Sequence, residues 1–257
     1  MDLHLKGKKA VILGGTRGIG RAIAETFAAE GADVAICARN ADQVGEAVAA
    51  LQATGVRATG GSVDILDPAA LAAWIGAVAA ELGGIDILVS NAGAMAQGND
   101  AASWEANFRL DILGGAVASF DAARPHLEKA AAEHGDAAFI IISSVSAAES
   151  DSASSYGPIK AALIHHAKGL ARQFAKKHVR INVVSPGMVY FKGGIWNQVE
   201  TGMPDYFKQA MARNPTGRAA TPQDIANAAV FLASPASSYT TGVNLLVDGA
   251  ISRRVNF

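Results

Sequence analysis

Between Leu13 and Arg21 the chain reads Gly14-Gly15-Thr16-Arg17-Gly18-Ile19-Gly20, and this stretch restricts the fold more than any other. Ahead of it stands the apolar run Ala10-Val11-Ile12-Leu13, which reads as a short strand. Behind it Ile23, Ala24, Phe27 and Ala28 recur at helical spacing until Gly31 stops the pattern. Strand, glycine turn and helix in succession are the context of a dinucleotide-binding turn. Such glycines let backbone N–H groups approach a pyrophosphate, and the helix N-terminus adds partial positive charge. The spacing here is Gly-x-x-x-Gly-x-Gly rather than the commoner Gly-x-Gly-x-x-Gly. A tight turn with no ligand is the other reading of the segment taken alone.

The β-α rhythm continues along the chain. Residues 33–37 form a second apolar strand, 41–53 an Ala-rich helix, and 57–63 a third strand followed by Asp64. Asp67 and Pro68 read as the N-cap and first residue of the next helix. Residues 85–90 are a continuous apolar strand of the doubly covered kind, leaving through Asn91-Ala92-Gly93. Residues 104–129 are largely helical, with Pro125 marking a kink or break. The run 137–142 is a strand that ends in Ser143 and Ser144, and 180–184 is another, ending in Ser185-Pro186-Gly187. Residues 188–221 break the rhythm with Tyr190, Phe191, Trp196, Met203, Tyr206 and Phe207, which reads as a substrate-loop insertion or as a surface helical hairpin. A last strand covers 244–249. The prediction is one doubly wound α/β Rossmann domain spanning 1–257, with a seven-stranded parallel sheet flanked by helices.

Bulk properties narrow the function classes. Half of the 257 residues are hydrophobic, so a large core is available. Net charge is −1 without long runs of either sign, which gives no reason to expect nucleic acid or an anionic membrane as partner. The single Cys37 excludes an intrachain disulfide and offers no metal cluster. The N-terminus lacks a signal-peptide pattern and no apolar run approaches a membrane span, so a cytoplasmic location is expected.

Two constellations carry chemistry. Tyr156 and Lys160 are four residues apart at the head of a helical segment, so phenol and ammonium share one face. A serine from the preceding strand end completes a group suited to moving a proton to or from an alcohol oxygen. After the second strand, Ala38-Arg39 stands where an NAD site usually has an acid for the ribose 2′-hydroxyl. Arg39 and Arg17 together suit a 2′-phosphate, since a guanidinium grips phosphate in a bidentate fork. NADP(H) is therefore favoured and NAD(H) remains possible; two solvated surface arginines are the plainer reading of each alone.

Taken together, the glycine turn, Asp64, Asn91-Ala92-Gly93, Ser144, Tyr156-x-x-x-Lys160, Ser185-Pro186-Gly187 and Val247-Asp248-Gly249 resemble the short-chain dehydrogenase/reductase family. The resemblance runs from Lys9 to Asp248 and leans toward members like 3-oxoacyl-[acyl-carrier-protein] reductase. It implies that Tyr156 is the acid/base and that Lys160 binds the nicotinamide ribose and favours the phenolate. A cation at roughly 4 Å contributes about 4 kcal/mol at an effective dielectric near 20. By the same resemblance Ser144 would steady the substrate oxygen. Gly14, Thr16, Arg17, Gly18, Ile19 and Gly20 would cradle the pyrophosphate. Asp64 would accept from the adenine amino group, and Asn91, Ala92 and Gly93 would lie along the adenosine ribose. Pro186, Gly187 and the Val189 backbone would meet the carboxamide.

The sequence departs from the family pattern in four places. Leu13 and Phe191 each stand where a Thr is usual, and Phe191 thereby loses a polar contact to cofactor. The interval from the serine pair to Tyr156 is one residue short, which leaves Ser143 open against the preferred Ser144. Asp111 falls where the family has an Asn that holds a proton-relaying water beside the lysine. An ionised Asp only accepts hydrogen bonds and its charge would weaken the pull of Lys160 on Tyr156. Either Asp111 holds the water with its oxygens, or the relay is rebuilt with Asn107.

The expected activity is an NADP(H)-dependent carbonyl reductase, reversible as an alcohol dehydrogenase, acting on a 3-oxoacyl thioester or similar ketone. Sugar, polyol and steroid dehydrogenases share every motif quoted. A dinucleotide-binding sensor or scaffold without catalysis is the reading from another class. Arg124, Lys129 and Arg172 would offer a basic surface to an acyl carrier protein. The resemblance also implies a homotetramer or dimer, with the C-terminal residues 251–257 reaching a neighbouring subunit.

Overall fold

The computed structural model describes residues 1–150, 152–253 and 255. Seven strands form one parallel sheet in the order β3-β2-β1-β4-β5-β6-β7. They are β1 (Lys9–Leu13), β2 (Asp33–Ala38), β3 (Ala58–Ser62), β4 (Ile87–Ser90), β5 (Ala137–Ile142), β6 (Val179–Pro186) and β7 (Asn244–Val247). Strands β1, β4 and β5 are buried on both faces, which is why they read as unbroken apolar runs. Alternate residues of one strand serve opposite layers. Val11, Leu13, Phe139 and Ile141 point to one core, while Ala10, Ile12, Ala138 and Ile140 point to the other.

The first layer holds α3 (Pro68–Leu82), α5 (Ser119–His134) and α6 (Tyr156–Phe174); the second holds α1 (Gly18–Ala29), α2 (Ala41–Gln52) and α9 (Pro222–Ala233). Phe120 stacks on Phe139 at 5.3 Å and meets Phe174 edge-on at 5.1 Å, tying α5 and α6 to the sheet. Helix starts follow their caps. Asp67 accepts from the N–H groups of Ala69 and Ala70 with Pro68 behind it, and Asn40 accepts from Gln43. Thr221 and Asp224 form a reciprocal capping box at α9.

Three expectations are revised. The fourth strand begins at Ile87, because Asp86 turns its buried carboxylate to the Lys9 N–H at 2.9 Å and the Lys8 ammonium at 3.2 Å. Pro125 lies inside α5 without ending it. The break comes earlier: α4 (Ala101–Asn107) runs into a π-helical segment, Phe108–Ala118, before α5 begins. Gly114 and Gly115 permit this segment to lie close to the sheet. A Cβ on Gly114 would be 2.7 Å from the Ile65 carbonyl, and one on Gly115 would be 3.0 Å from Ser90 Oγ. Wide π turns of this kind often mark functional sites.

The insertion at 188–221 is helical and also faces the site. It contains α7 (Ile195–Gly202) and α8 (Pro204–Ala212), whose Trp196 and Tyr206 rings stack at 6.4 Å. Tyr190 donates its hydroxyl proton to Glu200 and accepts from Asn197, fixing α7 against the loop.

Candidate active site

The strand order reverses between β1 and β4, and a cleft of about 1960 Å³ opens at the carboxyl ends of the strands there. Its lining joins most of the residues the sequence singled out: Gly14, Thr16, Arg17 and Ile19; Arg39 and Asp64; Asn91, Ala92 and Gly93; Ser143 and Ser144, Tyr156 and Lys160; Pro186, Gly187 and Val189; Gly18, Gly20 and Asp111 lie behind it.

At the glycine turn, Gly14 adopts φ +76° and Gly18 φ +55°, both in the left-handed region that favours glycine. A Cβ on Gly14 would meet Ala92 Cα and Asn91 Nδ2 at 3.2 Å. Asn91 donates to the Gly14 carbonyl at 3.0 Å, so the exit of β4 supports the turn. Arg17 stands at the N-cap of α1 with its side chain clear of the first-turn N–H groups, which leaves them to an anion. Leu13 packs wholly in the core. These features fit a pyrophosphate-bearing dinucleotide. Arg17 and Arg39 are both exposed along the cleft, and Ala38 leaves the end of β2 without an acid. Asp64 is exposed and accepts from the Leu66 N–H at 3.0 Å.

The Phe191 ring rests on Gly18 and on Gly194, where Cβ atoms would collide with it. This aromatic residue fills the loop position with packing. It links the glycine turn to the start of α7.

Around the helix face, the two serines separate. Ser143 is buried and its hydroxyl donates to the Lys160 carbonyl at 2.8 Å. Ser144 also lines the cleft, as Ser143 does, and its Oγ accepts from the Ser146 N–H at 3.1 Å, opening the short 3₁₀ turn Val145–Ala147. Tyr156 is half-buried, and among the described residues its hydroxyl has no hydrogen-bond partner. Lys160 Nζ lies 5.6 Å from the Tyr156 ring centre, donates to the Ile142 carbonyl at 3.2 Å, and stands 3.4 Å from Asp111 Oδ2. Asp111 Oδ1 accepts from the Ala94 N–H at 3.0 Å.

Asn107 does not join this group. It is fully buried, bonds both backbone polar groups of Ala96, and donates to Ser155 Oγ at 2.9 Å. Its role is a clamp between the β4 exit and the residue before Tyr156. The sequence reading missed this, although an Asn within an apolar helix face was a signal that something buried needed both a donor and an acceptor.

Asp248 accepts from the N–H groups of Ala250 and Ser252, turning residues 251–253 back over the chain's own cleft. The Arg253 N–H donates to Glu149 at 2.6 Å. Residues 254, 256 and 257 lie outside the described residues. The Asp-Gly pair at 248–249 was the available turn signal.

The remaining residues stay apart from the chemistry. His165 is exposed on α6, and half-burial lowers the His166 pKa, opposed in part by Asp121. Burial pushes the Cys37 thiol up to about 12. Arg124 and Lys129 each lie 3.8 Å from a glutamate one helical turn on, and the glutamate beside Arg124 also pairs with Lys177. Among the described residues there is no cluster of three metal-ligating side chains, and no helix is long and apolar enough to cross a membrane.

Residues 14–252 match the family described as enoyl-(acyl carrier protein) reductase. The chain is similar to isoepoxydon dehydrogenase of Aspergillus clavatus, at 36% identity over 96% of this chain and 95% of the other. It is similar to 7alpha-hydroxysteroid dehydrogenase of Escherichia coli, at 33% identity over 99% and 98% of the two chains. In structure it resembles L-sorbose reductase of Gluconobacter frateurii, solved with NADPH and L-sorbose. That pair has a TM-score of 0.88 at 31% identity over 99% of this chain and all of the other (100%). With its parallel sheet, glycine turn and Tyr–Lys face thus matched over nearly the whole chain, the protein belongs to the short-chain dehydrogenase/reductase family and is an oxidoreductase of the CH–OH/C=O type.

Proposed function

We propose that the protein uses NADP(H) to interconvert a ketone and a secondary alcohol on a substrate with an apolar body. One observation carries the reading: Ser144, Tyr156 and Lys160 line the cleft that also holds Arg17 and Arg39, with Ala38 in place of an acid. When bound, the nicotinamide supplies hydride to the carbonyl carbon. Tyr156 gives its proton to the oxygen, and Ser144 donates a hydrogen bond that steadies the charge developing there. Lys160 holds the ribose hydroxyls and aligns the face. Val189, held by its bridge to Ala220, would meet the nicotinamide carboxamide through its backbone.

The wall formed by Trp196, Val199, Met203 and Tyr206 supports an apolar substrate body, such as a 3-oxoacyl chain or a cyclic ketone. Gln97 and Asn99 on the opposite side favour a second reading, a hydroxylated substrate of the sugar, polyol or steroid kind. The paired charges of Arg124 and Lys129 favour a free small molecule over one carried on an acidic protein. The exposed side chains of Trp104, Phe108 and Leu113 support assembly between copies. NADPH oxidation with a panel of aliphatic, cyclic and hydroxylated ketones tests the reading. Turnover that survives Tyr156→Phe, or cofactor binding without turnover of any ketone, would count against it.

A further inference from the structure

Asp111 occupies an unusual position for a carboxylate. Its side chain is fully buried (0% exposed) and that of Lys160 nearly so (5%). The wide turn of the π-helical segment carries it inward, and the Ala94 N–H fixes Oδ1. Oδ2 has no hydrogen-bond partner, yet it faces the ammonium at 3.4 Å, so the pair is ionic without hydrogen-bond geometry. No water fits between two atoms at that separation. Gly93 closes another side: a Cβ there would lie 3.0 Å from Oδ1 and 3.4 Å from Nζ.

We propose that Asp111 is a positioning residue that holds Lys160 by a direct ion pair, and that the pair keeps the Tyr156 proton in place. The inference rests on Tyr156 acting as the acid/base. A bare ammonium beside a phenol favours the phenolate; a carboxylate against the same ammonium cancels much of that field. The arrangement thereby favours donation of the phenol proton over its removal. In reduction the carbonyl carbon would receive the hydride that a bound NADPH supplies in becoming NADP⁺, its π electrons would move to oxygen, and oxygen would take the Tyr156 proton. Water then reprotonates the phenolate. The other charged groups of the cleft lie toward its two ends. Arg17, Arg39 and Asp64 flank the glycine turn and the ends of β2 and β3, and Glu149, Arg213 and Arg253 stand by the loop and tail. None of them is an ion-pair partner of Lys160 among the described residues.

The test compares the wild-type protein with D111N, with and without NADP⁺. The appearance of tyrosinate is followed by ultraviolet difference spectroscopy, with Tyr156→Phe identifying the Tyr156 step. In D111N that step should move to lower pH, and the acid limb of cyclohexanol oxidation should follow it. Asp111→Ser, which removes the charge without adding an amide, should move the step in the same direction. An unmoved or upward step in either folded variant would overturn the inference. So would failure of both variants to fold, which would make Asp111 a structural residue only. Turnover retained by Tyr156→Phe would instead sink the reading of Tyr156 itself.

Discussion

The Ser143 hydroxyl donates to the backbone carbonyl of Lys160 at 2.8 Å, so one serine of the pair anchors the helix that carries the lysine. Both serines line the cleft, but Ser144 Oγ, one residue on, accepts only a local N–H, that of Ser146. The two should therefore fail differently. Ser144→Ala is expected to lower kcat by about 10²-fold or more with stability near wild type. Ser143→Ala removes a second hydrogen bond from a carbonyl that also serves the α6 ladder and should cost about 1 kcal/mol in denaturant unfolding. Equal losses of kcat in both variants would remove this division of labour.

Cofactor preference should reside in Arg39. Arg39→Asp replaces a phosphate-binding fork with an acceptor for a ribose hydroxyl. NADP⁺ affinity should fall about tenfold or more while NAD⁺ affinity rises, as read by fluorescence titration of each. If the unmodified protein bound NAD⁺ as tightly as NADP⁺, the argument from Arg17 and Arg39 would collapse.

The Gly18–Phe191 contact makes a packing prediction. Gly18→Ala puts a methyl group into the Phe191 ring and forces a left-handed φ on a side-chain-bearing residue. NADP⁺ binding should weaken markedly, and Phe191→Ala should recover part of the loss by vacating the space. A double-mutant cycle by calorimetry measures the coupling, expected at about 0.5–3 kcal/mol. Strict additivity would mean that ring and turn act separately.

Cys37 should be inert. Its thiol is buried at the end of β2 and pushed up to about 12 by burial, so almost no thiolate exists near neutrality. Native protein at pH 8 should resist iodoacetamide, and the same protein in guanidinium should be alkylated at one site. Rapid modification without unfolding would show that the strand end opens.

Acid should loosen α9 through Asp224. The Arg218 guanidinium first, and the Thr221 backbone N–H next, hold its carboxyl well below the usual carboxylate range. A depressed folded-state value stabilises above the unfolded value, and that stabilisation is lost as pH falls through the folded one. The group is partly open to solvent, which limits the gain. Asp224→Ala is expected to cost about 1 kcal/mol at pH 7, through the lost capping box, and less at strongly acidic pH. A stability difference that does not shrink on acidification would locate the effect elsewhere.

The fold was legible because its signals were local and redundant. Continuous apolar runs named most of the strands, and Asp67-Pro68 named a helix start. The parts of the site were legible as an ordered set of short motifs. What stayed hidden depends on side-chain reach across the fold. Nothing in residues 104–129 distinguishes a π turn from an α turn, since both keep the same apolar composition; only the close approach of Gly114 to Ile65 explains the segment. The one-residue deficit before Tyr156 could not separate Ser143 from Ser144, because the choice turns on a carbonyl of Lys160, distant in sequence. Asn107 read as a relay candidate by proximity in sequence to Asp111, whereas burial gave it Ala96 and Ser155 instead.

The strand order 3-2-1-4-5-6-7 places the first three strands on one side of the cleft and the last four on the other. Arg17, Arg39 and Asp64 belong to the first half of the sheet; Ser144, Tyr156 and the aromatic wall of α7 and α8 belong to the second. Recognition of the 2′-phosphate end of the nucleotide and recognition of the substrate body are therefore written in separate stretches of the gene. Substitutions that exchange one cofactor for another should combine additively with substitutions that reshape the wall. A catalyst built this way can have its fuel and its feedstock changed in independent rounds, with Phe191 the contact to watch because it touches both.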